Sequence, residues 1–314
     1  MKKAEQVTKI HPDNPYNANY DLPKLQEQYP ALEQYIIRKK HGGLTIDFSN
    51  AEAVNALNAA LMLESCQLKY WKLPVHNLIP AIPGRMDYLC HLKDLLEKDS
   101  EQPIDHSKIK GIDIGTGAGA VYPILGNKHF QWKFLASDID QKSVNNALKI
   151  LKENKVSRKV IDVKLQPTSH YYFTNIIGEE RVDFSICNPP FFSSEEEAQK
   201  ANQRKWDQLK VEKSENNKFN FQGTSSELWA KGGELQFVRQ MIFESKRYQD
   251  QCLWFSSLIS NKDHLFPLKK QLRKVGVEDF EIIQMAQGNK VSRFIAWTFK
   301  AQEERKSWAK QYWN

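Results

Sequence analysis

Within a chain of 314 residues, the segment Asn188-Pro189-Pro190-Phe191-Phe192 has the residue types and spacing with the most specific chemistry. It follows Arg181 to Cys187, where Val182, Phe184 and Ile186 alternate with polar or small residues as in a short strand. Two prolines offer no N–H and hold φ nearly fixed, and Asn188 is pushed toward an extended conformation because it precedes one of them. The strand therefore ends in two rigid acceptors, the Asn188 side-chain oxygen and the Pro189 carbonyl. A planar NH2 group on a conjugated ring suits them, since it donates two hydrogen bonds while its ring stacks on Phe191. Fixing both N–H bonds helps free a lone pair that is otherwise delocalised, and the acceptors stabilise positive charge on that nitrogen as it attacks an electrophilic methyl. Taken alone, the tetrapeptide is equally a strand-terminating turn. Its weight rests on the elements that position it.

Those elements begin at Lys110, where alternating strand and helix patterns give the signature of a parallel α/β sheet. Gly111 to Ala120 reads as an apolar strand running into a glycine-rich turn, which opens a helix through Val121, Tyr122, Ile124 and Leu125. Gly115, Gly117 and Gly119 let backbone N–H groups and a helix N-terminus approach a ligand closely. Gly115-x-Gly117-x-x-Ala120 also satisfies the dinucleotide fingerprint, so spacing alone leaves the cofactor open. Asp113 suits the ammonium and sulfonium region of S-adenosylmethionine. A second strand, Trp132 to Ser137, ends at Asp138, roughly 20 residues after the glycines, where a carboxylate can accept both ribose hydroxyls. A nicotinamide enzyme shares Asp138 but has no use for Asn188-Pro189-Pro190-Phe191, so the conjunction favours adenosylmethionine. Asp140 can cap the next helix, and Val160 to Leu165 is a third strand. Thr168 follows in the loop where such a fold meets the cofactor's adenine.

A net charge of +7 and a pI near 9.0 suit a polyanionic partner and make nucleic acid a candidate. Cys66, Cys90, Cys187 and Cys252 form no Cys-x-x-Cys pair, which argues against a zinc site or a disulfide framework. No apolar run approaches the ~18 residues of a membrane span, and the first residues lack a signal peptide's apolar segment, so a cytoplasmic protein is expected.

Residues 1–20 read as an extended arm, biased positive by Lys2, Lys3, Lys9 and His11. Helical patterning from Asp21 to Arg38 ends in Arg38-Lys39-Lys40-His41, where a helix C-terminus favours cations as readily as a phosphate does. Leu44 to Phe48 alternates as a strand, and Ser49 or Asn50 can cap a helix from Ala51. Gly84-Arg85 closes a proline-rich stretch before a helix from about Asp87 to Leu96, and Arg85 suits a cofactor carboxylate unless it is simply a surface arginine. A polar stretch around Pro103 puts the domain boundary near residue 100. Residues 193–222 form a charged insertion, with Arg204 and Lys205, that reads as a lid, an RNA-contacting loop or a solvated helix. After Gly232-Gly233 come a helix, a strand over Cys252 to Ile259, a helix over Leu265 to Val275 and strands over Phe280 to Met285 and Arg293 to Phe299, the last antiparallel.

Gly111 to Gly126, Asp183 to Phe192, Glu227 to Glu234, Met285 to Gly288 and Ser292 to Phe299, with Asp47-Phe48 and Pro83 to Tyr88, closely resemble the bacterial ribosomal RNA large subunit methyltransferase F family. That family methylates N6 of one adenine in 23S ribosomal RNA, and the eukaryotic U6 small nuclear RNA methyltransferase is a relative. The resemblance implies a class I, Rossmann-like α/β fold for residues 101–314, with a seven-stranded, mostly parallel sheet. It also implies a basic, helical RNA-binding extension over 1–100, S-adenosylmethionine as cofactor, no metal and no membrane. Cofactor contacts would come from Arg85, Gly115, Gly119, Asp138 and Thr168, joined by Asp113, Gly117 and Asn188, while Asn188, Pro189 and Phe191 would hold the target adenine. Lys2, Lys3, Lys9, Arg38, Lys39, Lys40, Arg204 and Lys205 are candidates for gripping 23S rRNA or a large-subunit assembly intermediate. Gly119 stands where relatives carry serine or asparagine, and Asp138 where they carry glutamate. Rival readings are another adenine methyltransferase acting on RNA or DNA, a protein glutamine methyltransferase and a catalytically idle RNA-binding protein.

Overall fold

The structure, a computed structural model, describes residues 10–17, 20–74, 77–194, 196–197, 229–287 and 290–314. Helix α1 (Leu22–Gln28) starts at Asp21, whose side chain accepts from the Lys24 N–H, and stops at Tyr29. One helix was expected from Asp21 to Arg38. Pro30 breaks it: Tyr29, preceding a proline, takes φ −139° and ψ 85°, and the chain continues as a 3-10 turn over Pro30–Tyr35. Strand β1 (Ile36–Arg38) then pairs antiparallel with β2 (Leu44–Ile46). Arg38, Lys39, Lys40 and His41 accordingly sit exposed at the turn of a β-hairpin rather than at a helix end.

Asn50 caps α2 (Ala51–Ser65), accepting from the N–H groups of Glu52 and Ala53. Helix α3 (Ile82–Glu97) begins earlier than the pattern suggested, so Gly84 and Arg85 lie in its first turn rather than before it. Proline is tolerated there because the first N–H groups of a helix need no partner within it. The arm is fastened to this helix: His11 N–H donates to Asp87 Oδ1 at 2.7 Å and Asn14 Nδ2 to the Pro83 carbonyl at 2.9 Å.

The sheet contains β3 (Lys110–Ile114), β4 (Lys133–Asp138), β5 (Ile161–Leu165), β6 (Val182–Cys187), β7 (Cys252–Leu258), β8 (Asp279–Gln287) and β9 (Lys290–Thr298), in the order β5-β4-β3-β6-β7-β9-β8. The first five are parallel, and β9 runs antiparallel to both its neighbours. This is the seven-stranded, mostly parallel α/β sheet expected of a class I methyltransferase. Helices α4 (Val121–Phe130), α5 (Gln141–Glu153), α6 (Gly233–Ser245), α7 (Leu265–Val275) and α8 (Gln302–Tyr312) complete the fold. Two hydrophobic clusters hold it, one joining α2, α3, α4 and α5 to the sheet and the other joining α6 and α7 to it. The first also contains Tyr16, Leu22 and Leu25 from the N-terminal segment.

Helix α8 carried no recognised signal in the sequence, because most of its residues are charged or polar. Its anchors are few: Trp308 Nε1, with Trp313 Nε1 just beyond, donates to the buried Asp183 Oδ1 at 2.8 and 2.9 Å, and Arg305 pairs with Asp99 at 2.8 Å. Among the described residues, no helix is long and apolar enough to cross a membrane.

Candidate active site

Strands β3, β4, β5 and β6 end at one edge of the sheet, and the loops that follow them converge on a cleft of about 980 Å³. Open α/β sheets bind ligands at this edge, where strand order reverses on either side of the first strand. Arg85, Gly115, Gly117, Gly119, Asp138 and Asn188 all reach the cleft lining.

The chain leaves β3 through Gly115, at φ +73°, and Gly117, at φ +64°. The N–H groups of Gly115 and Thr116 both lie 2.9 Å from the Ser137 carbonyl, and Gly117 N–H donates to Asp138 Oδ2 at 2.8 Å. A Cβ at Gly115 would enter open space, so what this glycine supplies is its backbone angle. Gly119 serves a different purpose. A Cβ there would lie 3.0 Å from Leu73 Cδ2 and 3.1 Å from Trp71 Cζ2, and the Trp71 indole donates to the Gly119 carbonyl at 3.0 Å. The room a serine or asparagine side chain would need is filled by Trp71 and Leu73.

Asp138 ends β4 with both oxygens oriented, the second accepting from the Asp140 N–H at 2.9 Å. Arg85 donates to the Tyr122 hydroxyl at 2.9 Å, with its guanidinium 5.4 Å from the centre of that ring. Burial pushes the Tyr122 phenol up to about 12, so it stays protonated. Asp113 is 1% exposed and stands off the cleft lining, which its neighbour Ile114 reaches instead. Neither of its carboxylate oxygens has a hydrogen-bond partner. Burial pushes its pKa up to about 7; Thr116 and Arg85 oppose the rise and Asp138 adds to it.

Asn188 projects from the end of β6, and its side-chain oxygen is buried without a partner. Pro190 lines the cleft, whereas buried Pro189 and half-buried Phe191 do not. Thr168 also stands off the lining, with Oγ1 3.3 Å from His170 Nδ1, while Gln166 and Ser169 on either side of it face the cleft.

Several lining residues had no reading in the sequence. Gln166 Nε2 donates to the Thr174 carbonyl at 2.8 Å. Glu244 on α6 accepts from the N–H groups of Tyr172, Phe173 and Thr174 at 2.6, 3.2 and 2.8 Å and from the Thr174 hydroxyl at 2.7 Å, which fixes one wall of the cleft. A glutamate on an amphipathic helix gives no sign of clasping a distant loop. Trp229 and Lys231 come to the cleft because Trp229 bridges to Phe192 and Ala230 N–H donates to the Phe192 carbonyl at 3.1 Å. Arg38, Lys39 and Lys40 are away from the lining. Lys2, Lys3, Lys9, Arg204 and Lys205 lie outside the described residues, as does most of the insertion.

Among the described residues, one group has ligand atoms close enough to share a metal: His11, His91 and Asp94. His11 Nδ1 accepts from the Asp13 N–H at 3.1 Å, so its Nε2 carries the proton and donates to Asp94 at 2.9 Å. That tautomer has no lone pair left for a metal on the cluster side.

Comparisons with known proteins agree with this geometry. Residues 4–301 match a family described as RNA methyltransferase. The ribosomal RNA large subunit methyltransferase F of Flavobacterium johnsoniae is 42% identical, with 98% of this chain and 99% of that one covered. Its namesake from Colwellia psychrerythraea is 43% identical over 92% of this chain and 99% of that one. The human METTL16 catalytic domain, solved in complex with MAT2A 3'UTR hairpin 1, superposes with a TM-score of 0.77 at 30% identity over 93% of this chain and 96% of that one. The N-terminal domain of human METTL16 in complex with SAH gives a TM-score of 0.73 at 28% identity, with 94% and 100% covered. With a match along almost its whole length and close relatives of equal span, the chain belongs to this family of RNA methyltransferases.

Proposed function

We propose that the protein methylates the N6 amine of one adenine in 23S ribosomal RNA, using S-adenosylmethionine. The observation that carries this reading is the Asn188 side-chain oxygen, a buried acceptor with no partner, placed on the same cleft as the glycine turn and Asp138. The site fits that cofactor. Gly115 leaves open space beside the turn, Asp138 is held ready for ribose hydroxyls, and the unpaired Asp113 carboxylate lies just behind the wall where a cation would be drawn. Arg85, on the cleft lining, suits the cofactor's carboxylate. When bound, adenosylmethionine supplies an electrophilic methyl on a sulfonium.

The residues of this chain do the rest by positioning. Asn188 Oδ1 and the Pro189 carbonyl accept the two N–H bonds of the target amine, hold its lone pair toward the methyl and stabilise the charge that develops on nitrogen. One N–H is replaced by N–CH3, and its proton passes to water. Phe191, beside the cleft, is the ring assigned to stack on the base, which must be unpaired or flipped to enter. The exposed Arg38, Lys39 and Lys40 at the hairpin turn suit RNA phosphates, with residues 1–100 as the RNA-gripping extension.

The test is incubation with radiolabelled adenosylmethionine and either naked 23S RNA or large-subunit assembly particles from cells lacking the gene, followed by nucleoside chromatography. Label in N6-methyladenosine is expected. Label in protein or DNA would move the function to a rival substrate, and no label in any fraction would overturn it.

A further inference from the structure

We infer that Trp229 reads the target base, its indole N–H donating to the ring nitrogen that flanks the amine held by Asn188. The inference rests on the adenine reading above. Buried polar groups without partners are rare in folded proteins. Three of them belong to residues of this cleft: the Thr116 hydroxyl, which can donate or accept, and two of fixed and opposite kind, Asn188 Oδ1, which accepts, and Trp229 Nε1, which donates. The fold delivers them together. Four residues beyond Asn188, Phe192 bridges to Trp229, and the Ala230 N–H closes the contact on the Phe192 carbonyl at 3.1 Å.

An indole N–H donates only, so its partner must be an acceptor. Both amine-bearing edges of adenine present a donor beside an acceptor: N6–H next to N1 on one and next to N7 on the other. An acceptor on Asn188 and a donor on Trp229 form the complement of such an edge. On the Watson-Crick edge, guanine and uracil put a carbonyl oxygen where Asn188 needs a donor and an N–H where Trp229 needs an acceptor, leaving both protein groups unpaired; on the other edge of guanine N7 still accepts from Trp229, but Asn188 faces O6 and is left unpaired. Sites built to hydrogen-bond reject such mismatches far more strongly than an apolar wall rejects a change of shape. Cytosine shares the donor–acceptor order, so the pair selects amino bases and leaves stacking area to separate purine from pyrimidine.

The experiment uses synthetic RNA spanning the site labelled in the assay above, with adenosine, 1-deazaadenosine or 7-deazaadenosine at the target. Initial rates are measured at saturating adenosylmethionine for the unmodified protein and for Trp229→Phe, which keeps an aromatic ring and removes the donor. One of the two analogues is expected to slow the unmodified protein about tenfold, the size of one lost hydrogen bond. Trp229→Phe should be slowed by the same factor on adenosine, and the two losses should not multiply when combined. The sensitive analogue identifies the edge that is read. Indifference of the unmodified protein to both analogues overturns the inference, as do losses that multiply. Should Trp229→Phe melt far below the parent, the comparison of analogues on the unmodified protein still decides. Failure of the unmodified protein to methylate adenosine at all removes the adenine reading itself, a different result from turnover that ignores Trp229.

Discussion

Strand β6 has a buried polar side chain near its start and another just past its end, and the fold treats them in opposite ways. Asp183 is saturated. It accepts from the indoles of Trp308 and Trp313 and from the Lys110 N–H, and it pairs with Arg181. Burial still pushes its pKa up, with Arg181 and the hydrogen bonds opposing that rise. Asn188, five residues further on, leaves its oxygen without a partner, and the neighbouring strand β3 leaves both oxygens of Asp113 in the same state. An orphaned buried polar atom costs about 1–3 kcal/mol. The foot of the sheet is thus arranged for stability, while its top holds unmet bonding capacity, on the cleft at Asn188 and behind it at Asp113.

Four substitutions can break or sharpen this contrast. Asn188→Ala should lower methyl transfer more than about a thousandfold, the scale of losing an oriented group that acts in the transition state. Calorimetric titration should find adenosylmethionine affinity nearly intact, and retained turnover would take Asn188 out of the chemistry. Asp183→Ala strands two indoles and an amide, so urea unfolding should show a loss of about 3–5 kcal/mol. Turnover per folded molecule should hold steady, and a variant as stable as the parent would show that the foot of the sheet is not what it appears from its bonding.

Asp113 adds a dependence on pH. Its folded pKa of about 7 lies above the ordinary 3.8. Stability associated with the protonated group is complete below the lower value and is lost as pH rises through the higher one, by up to about 4 kcal/mol. Asp113→Asn should remove that slope. Denaturant midpoints of variant and parent should separate as pH rises from about 4 to about 7 and then run parallel, with the variant ahead; curves parallel throughout would place the titration elsewhere. The smallest effect belongs to Gly119→Ala, where Trp71 and Leu73 must give by a few tenths of an ångström. A loss of about 1 kcal/mol is expected in thermal melting, and no loss would mean that this part of the cleft floor is looser than its packing distances imply.

The contrast also sorts what could be read from residues alone. Strands β3 to β7 announce themselves through apolar runs, and Asn188, Gly115 and Asp138 through short motifs whose backbone demands are local. Where a role depends on a distant partner, the chain is silent. Glu244 clasps a loop some seventy residues earlier in the sequence, and α8 is recognisable only through tryptophans that meet Asp183. Pro30 is the opposite case: a local signal, present in the sequence, that apolar spacing over Asp21 to Arg38 outweighed. Arg85 was placed one turn too early because the proline before it reads as a breaker, although it is a good first residue for a helix. The cleft lining at Gln166, and Thr168's position off it, depends on how one loop folds back on itself, which no periodicity encodes.

The fastening of Asp183 has a consequence in time. Translation delivers the carboxylate first, and the indole of Trp313 is attached 130 residues later. At ordinary synthesis speeds that is a wait on the order of ten seconds. Throughout it the carboxylate has only Arg181 and the Lys110 N–H to meet it, and neither of its two indole donors. The base of the strand that bears the reactive turn is therefore completed only by residues made more than a hundred positions after it, in α8 and just beyond.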